Sequence, residues 1–359
     1  MSKKTIMPFG PQHPVLPEPI HLDLVLEDEK VIEALPSIGF VHRGLEKLVE
    51  TRDYNQMLFV AERVCGICSF IHSMGYAQGA EDLLNLEIPE RAKYLRVIWG
   101  EYSRIHSHLL WLGLMADAFG FESLFMHCWR LREQILDVIE ATTGGRVIFS
   151  VVKVGGVRRD IEAGTLKFML EKLKEMKAEI KQVTDVFSKN YTVEKRTKGV
   201  GILSSQEAYE TGAVGPTLRA SGVASDLRKL GYAAYGQLDL EPIVENEGDS
   251  YARTKVRIRE LFQSIDLIEQ AIGKIPDGEI AVKPKGNPQG ETFQRLEQPR
   301  GEVVYYLKGN STKNLDRFRV RTPTFANIPP LLKILAGSDL ADVPVLVLTI
   351  DPCISCTER

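Results

Sequence analysis

The chain has 359 residues, 44% hydrophobic and 26% charged, an ordinary balance for a globular protein that buries a large core. A net charge of -3 gives no electrostatic footprint for nucleic acid, and no uncharged apolar run reaches the roughly 18 residues needed to span a bilayer, so membrane association would come through partners. Five cysteines in so long a chain indicate a reducing compartment rather than a disulfide framework, and the basic start Met1-Ser2-Lys3-Lys4-Thr5 lacks the apolar stretch of a secretory signal.

Residues 18–35 alternate in part, with Leu22, Leu24 and Leu26 on one face and Asp23 opposite. This predicts a strand, a turn at Glu27-Asp28-Glu29 and a second strand through Val31 and Ile32. From Gly44 the period becomes helical. Stretches 44–84, 89–119 and 122–142 space apolar residues by three and four, with Pro89 as a first-turn residue. Residues 160–189 carry the clearest core stripe, Leu166, Met169, Leu170, Leu173, Met176, Ile180, Val183 and Phe187, and a further helix spans about 250–274. Gly- or Pro-rich stretches 212–222 and 276–299 read as loops. Val303 to Leu307 and Arg317 to Arg321 read as a hairpin through Gly309-Asn310.

The expected fold class is therefore mainly α with small β elements (α+β). One domain is expected, with a β-rich segment 1–43, a long-helix bundle 44–275, and a loop and hairpin region 276–359 that ends in a cysteine motif.

Four of the five cysteines lie in two Cys-x-x-Cys pairs, Arg63-Val64-Cys65-Gly66-Ile67-Cys68 and Asp351-Pro352-Cys353-Ile354-Ser355-Cys356. Zinc ribbons place their pairs roughly 12 to 20 residues apart, so pairs at opposite ends of a chain are either unrelated or brought together by the fold. Gathered in one buried site, four thiolates select nickel, copper(I), zinc or iron-sulfur. A helix starting at the first pair would put Cys65, Cys68 and His72 on one face, with His72 able to hydrogen-bond a ligating sulfur. At the other end Asp351 reads as an N-cap and Pro352 as the first helical residue, setting Cys353 on a first turn that favours thiolate.

R-x-C-G-x-C-x-x-x-H near the start, D-P-C-x-x-C-x-x-R at the end and Pro299-Arg300-Gly301 between them resemble the large, catalytic subunit of a nickel-iron hydrogenase. Gly10-Pro11-Gln12-His13-Pro14, His42 to Leu48, Thr143-Gly144-Gly145-Arg146 and Arg321 to Asn327 resemble the membrane-bound, energy-converting branch. They also resemble its homologue, the quinone-site subunit of respiratory NADH:quinone oxidoreductase.

The resemblance implies Cys65 and Cys353 as terminal nickel ligands and Cys68 and Cys356 as bridges to an iron that carries carbon monoxide and cyanide. It implies Arg300 over the open metal position, where the residue types alone also allow a turn residue ahead of a strand. It aligns Glu18 with a carboxylate that passes protons to a terminal cysteine, and groups Asp117 and Asp351 with Arg300 as a polar canopy. The Cys353 thiolate or Arg300 would be the base in hydrogen splitting.

The glutamate matching Glu46 holds, in the family, a magnesium or iron ion together with a terminal histidine. Arg359 stands in that histidine's place, so a third metal and an Arg359 to carboxylate pair both stay open. His106 and His108 fall on different sides of a helix and make a poor metal pair; Cys128 reads as a buried thiol.

The implied partners are a small subunit with an iron-sulfur cluster, membrane ion-pumping subunits, and ferredoxin or another low-potential donor. The implied place is the cytoplasmic face of the membrane. A metal-free quinone-binding or coupling subunit is the rival reading, although that lineage lacks the cysteines that this chain keeps. A structural zinc protein is the third.

Overall fold

A computed structural model describes residues 4–359, so the basic start at Met1, Ser2 and Lys3 lies outside the described residues. The chain opens with strands β1 (Lys4–Phe9), β2 (His21–Glu27) and β3 (Lys30–Ser37), an antiparallel sheet in that order. Leu22, Leu24 and Leu26 of β2 are all buried, as the alternation predicts, and Asp28 makes the turn with a φ of 56°. β1 has no counterpart in the sequence-based expectation.

The helical stretch expected over 44–84 is three helices, α1 (Leu45–Val49), α2 (Tyr54–Glu62) and α3 (Ser69–Leu83). Asp53 caps α2 by accepting from the Asn55 N–H, and the turn carrying Cys65 separates α2 from α3. α4 (Glu90–Ala118) begins one residue after Pro89, which is its N-cap rather than its first turn. α5 (Glu122–Thr143) follows, then a two-residue ladder, β4 (Val152–Lys153) with β5 (Gly156–Val157).

Next come α6 (Ala163–Lys189), α7 (Tyr191–Thr197), α8 (Ser205–Glu210), α9 (Gly215–Arg219) and α10 (Ser250–Lys274). The α6 stripe is buried as predicted except for Leu170, which is half-buried. α9 and the strand β6 (Gln289–Gln298) occupy stretches expected as loops. β6 pairs with β7 (Gly301–Asn310), and β7 with β8 (Leu315–Arg321). The chain closes with α11 (Pro323–Leu335), α12 (Val343–Thr349) and α13 (Ile354–Glu358).

Two apolar cores result. The larger joins α3 to α6 and α10 with β7 and β8; the smaller packs β2 and β3 against α11 and α12. Val64 and four cysteines form a third cluster. Because β6 and β7 meet at Gln298 and Gly301, Arg300 sits in a two-residue hairpin turn. That turn is pressed on α9: Gly301 has a φ of 125°, and a Cβ on Gly215 would stand 2.2 Å from the Gly301 Cα.

α3 lies flat on β7 because two of its residues have no side chain. A Cβ at Gly75 would come within 2.2 Å of the Tyr305 ring, and one at Gly79 within 2.7 Å of Leu307. Gly75→Ala is expected to destabilise the protein by about 1–3 kcal/mol through overpacking. Thermal denaturation of the purified variant checks this; an unchanged melting temperature would show that the helix and strand yield freely.

Candidate metal centre

The first pair sits in the turn between α2 and α3. Cys65 precedes the helix and Cys68 is its N-cap, so the one-face arrangement expected of Cys65, Cys68 and His72 does not form. Instead the backbone N–H groups of Ile67 and Cys68 fold onto the Cys65 Sγ, at 3.2 and 3.3 Å. These local donors shape the turn and favour a thiolate there.

The second pair differs from expectation too. Asp351 is not a helix cap: its φ is 54°, its Oδ1 accepts from Arg300, and Cys353 is the N-cap of α13. The capping carboxylate is Glu18. It accepts from the Ile354 N–H, from the Ser355 N–H at 3.2 Å and from the Ser355 Oγ at 3.0 Å. The Cys353 N–H donates to Thr324 Oγ1 and Thr322 Oγ1 donates to the Cys356 carbonyl oxygen, each at 3.1 Å, so the N-terminus of α11 fixes the motif.

These turns bring sulfurs 288 residues apart into contact. Cys65 and Cys353 Sγ lie 3.3 Å apart, Cys68 and Cys356 Sγ 3.4 Å, and all four residues are buried. The sulfurs of Cys65, Cys68 and Cys356 fall within 4.8 Å of one another. Four thiols so close cannot all ionise unaided. Burial pushes Cys68 and Cys356 up, while hydrogen bonds from Cys353 and its neighbours hold Cys65 well down. A soft cation relieves this repulsion, so the donor set fits a thiolate-bound metal group.

Above the sulfurs, the fully buried Arg300 donates from Nε to the Asp351 carbonyl oxygen at 2.9 Å, from Nη2 to Asp351 Oδ1 at 2.8 Å and from Nη1 to Ser107 Oγ at 3.1 Å. Asp117 does not join this canopy. It lies exposed at the C-terminal end of α4, and Ser107, on a buried turn of the same helix, takes the place expected for it.

His72 Nδ1 lies 2.8 Å from Tyr305 Oη and Nε2 3.3 Å from Cys356 Sγ. Burial lowers His72 to about 4, so the ring is neutral; its Nδ1 faces the Tyr305 hydroxyl, and its Nε2 faces both the Cys356 sulfur and, at 3.3 Å, Gln298 Nε2. Glu18 is half-buried; burial, helped by the nearby Cys353, raises its carboxyl to about 7. Between them Ser355 Oγ stands 3.2 Å from Cys353 Sγ. Sequence reasoning missed Ser355, although it lies inside the motif, and missed Ser107, Thr324 and Tyr305, which nothing local marks.

His106 Nε2 donates to the Ile67 carbonyl oxygen and His108 Nε2 hydrogen-bonds the Glu260 carboxylate, each at 2.9 Å, so they share no site. Cys128 is buried, its thiol pushed up to about 12 by desolvation.

Glu46 does not fit a cation. Its Oε1 takes Arg359 Nε at 3.0 Å and the Val320 N–H at 2.9 Å, and its Oε2 takes Arg319 Nη1 at 2.8 Å. Two guanidinium groups leave no charge for a third metal to balance, and they tie α1 and β8 to the last residue of the cysteine motif. Dialysis against a magnesium chelator is therefore expected to leave the melting temperature unchanged, whereas Arg359→Ala lowers it. A chelator-sensitive melting temperature in the parent would instead place an ion at Glu46.

The family model described as "Respiratory-chain NADH dehydrogenase, 49 Kd subunit" matches residues 118–286 and 283–359, and that described as "Nickel-dependent hydrogenase" matches 43–116. The chain is 40% identical to the membrane-bound hydrogenase subunit alpha of Pyrococcus furiosus, over 98% of this chain and 87% of that protein. It is 38% identical to the carbon monoxide-induced hydrogenase of Rhodospirillum rubrum, over the whole of both. It is 35% identical to an NADH-quinone oxidoreductase subunit of Desulforamulus reducens, over 98% of this chain and 97% of that one. With the cysteine pairs joined in one site, the chain belongs to the family that unites nickel-dependent hydrogenase large subunits with the 49-kDa subunit of respiratory NADH dehydrogenase.

Proposed function

We propose that the chain is the catalytic subunit of an energy-converting nickel-iron hydrogenase, which interconverts hydrogen with two protons and two electrons. The observation that carries this reading is the convergence of four buried sulfurs, in pairs 3.3 and 3.4 Å apart, beside one buried guanidinium. Cys65, Cys68, Cys353 and Cys356 would together hold the nickel-iron group. When bound, the nickel-iron group supplies the heterolytic splitting and formation of hydrogen. The metal-free quinone-subunit reading leaves the converging sulfurs without a role.

The chain's own residues supply charge, orientation and a proton route. Asp351 and the thiols hold the Arg300 guanidinium ionised against the cost of burial, so a positive charge stands ready without reorganisation. The neutral His72 ring packs against the Cys356 sulfur and steadies it. A proton at Cys353 Sγ passes to Ser355 Oγ and on to Glu18, across 3.2 and 3.0 Å. With its carboxyl near 7, Glu18 both accepts and releases protons near neutral pH.

With four cysteines committed, the fifth is the isolated, buried Cys128, so electrons would enter through a small subunit carrying an iron-sulfur cluster, fed by ferredoxin or another low-potential donor. Among the described residues no helix is long and apolar enough to cross a membrane. The name of the Pyrococcus relative, a membrane-bound hydrogenase subunit, supports attachment to membrane subunits; that these pump ions and that the chain sits at the cytoplasmic face are part of the proposal.

Glu18→Gln keeps shape and removes the titratable group. Metal content should stay parental while hydrogen production and uptake fall steeply, and exchange between deuterium gas and solvent should fall with them. Exchange at the parental rate with net turnover lost would put the defect in electron transfer and remove Glu18 from the route. Arg300→Lys should assemble with its metals yet lose about 10² in turnover, the scale for one preorganised electrostatic group. Undiminished turnover would reduce Arg300 to a turn residue.

A further inference from the structure

Arg257, on α10, is fully buried, and among the described residues it forms no ion pair. Its Nη1 donates to the Arg253 carbonyl oxygen at 3.1 Å and its guanidinium lies 4.4 Å from the centroid of the Trp111 ring. Nε and Nη2 are buried without a hydrogen-bond partner. A guanidinium left so costs stability unless a nearby charge answers it.

One acidic group near the metal centre is in the complementary condition. Asp351 Oδ1 is taken by Arg300 Nη2 at 2.8 Å, but Oδ2 is buried and unpaired. The two residues are joined by a chain of contacts. Trp111 Nε1 donates to the Leu348 carbonyl oxygen at 2.7 Å, and the same oxygen accepts the Asp351 N–H at 2.9 Å.

The face on which Arg257 stacks is thus fastened to the end of α12, the helix that delivers Asp351. Asp351 itself holds a left-handed φ of 54°, a conformation that aspartate tolerates better than most residues but that still favours a fixed neighbourhood. Burial lowers Arg257 to about 10. Of the charges facing it, Asp351 most favours the ionised form, followed by Glu260 on the same helix, while Arg300 from the β6–β7 turn and Arg219 from α9 oppose it.

We propose that Arg257 is a positioning residue of the metal centre: stacked on Trp111, it supplies the counter-charge for the free oxygen of Asp351 and so keeps Arg300 aimed at the thiols. This rests on the reading of Arg300 given above. A purely structural role, the cation–π contact with Trp111, is the competing explanation, and such contacts commonly stabilise by about 0.5–2 kcal/mol.

The test is a double-mutant cycle in the assembled holoenzyme. Arg257→Met keeps an apolar stem over Trp111 and removes the charge. It should retain nickel and iron and stay folded at the assay temperature, lose about tenfold in turnover with KM for hydrogen unchanged, and alter the nickel paramagnetic resonance signal in the same sense as Arg300→Lys. In the Arg300→Lys background the same change should cost less than about twofold, because residues acting as one unit are not additive.

Parental turnover in Arg257→Met, an equal tenfold loss in both backgrounds, or a loss that tracks melting temperature or metal content would each overturn the inference. Should Arg257→Met not assemble, Arg257→Gln goes through the same cycle with the same outcomes decisive. Arg300→Lys at parental turnover removes the underlying reading. Arg300→Lys impaired beside a fully active Arg257→Met removes this inference alone.

Discussion

Four thiols held in van der Waals contact inside a protein repel one another once ionised, and the architecture around them answers that constraint. Two come from the turn before α3 and two from the last turn of the chain, so the site exists only when both ends of the sequence are folded against each other. Positive charge and polar contacts are supplied from every side: Arg300 from the β6–β7 turn, backbone N–H groups at Cys65, and the His72 ring at Cys356. Negative charge is kept to what the donors can bear. Glu18 caps α13, yet its raised pKa leaves it half-protonated near neutrality.

The same rule governs the bundle beneath. α4 is buried almost all round although it carries Glu101, Arg104 and His108, because each meets a partner of the opposite sign or a hydrogen bond. Arg219 bridges Glu260 at 2.6 Å and Glu297 at 2.7 Å; Arg228 bridges Asp226 at 2.7 Å and Glu101 at 3.2 Å. Removing one member of such a set strands its partner's charge, a loss of several kcal/mol, so the network resists drift in the elements that carry Ser107 and Arg300. Around Glu46 the same chemistry recurs, with the Arg319 and Arg359 guanidiniums sharing one carboxylate and tying the C-terminal residue to α1.

What was legible in the sequence follows from whether the signal is local. Alternation in Leu22, Leu24 and Leu26 and the stripe along α6 are imposed by one buried face, and both were readable. β6 was not, since its first seven residues are mostly polar and exposed, Thr292 apart, and an unbroken buried run comes only in its last three. α11 hid behind Pro329 and Pro330, which forbid two helical hydrogen bonds while their neighbours Leu331 and Ile334 fill the smaller core. At the site the cysteine types and spacing were plain. Their supports were not: Asp-Pro before a helix usually marks a cap, whereas here Arg300, 51 residues away, claims the Asp351 carboxylate. Asp117 failed for the converse reason, since a position on α4 says nothing of which turn faces the sulfurs.

Metal analysis of the purified complex tests the central claim most directly. The account predicts nickel, with one iron per nickel beyond the iron-sulfur iron of the partner subunit, both lost together from a Cys356→Ser variant that keeps its helical content. Stoichiometric zinc with no nickel, or a fully active complex without either metal, would contradict it.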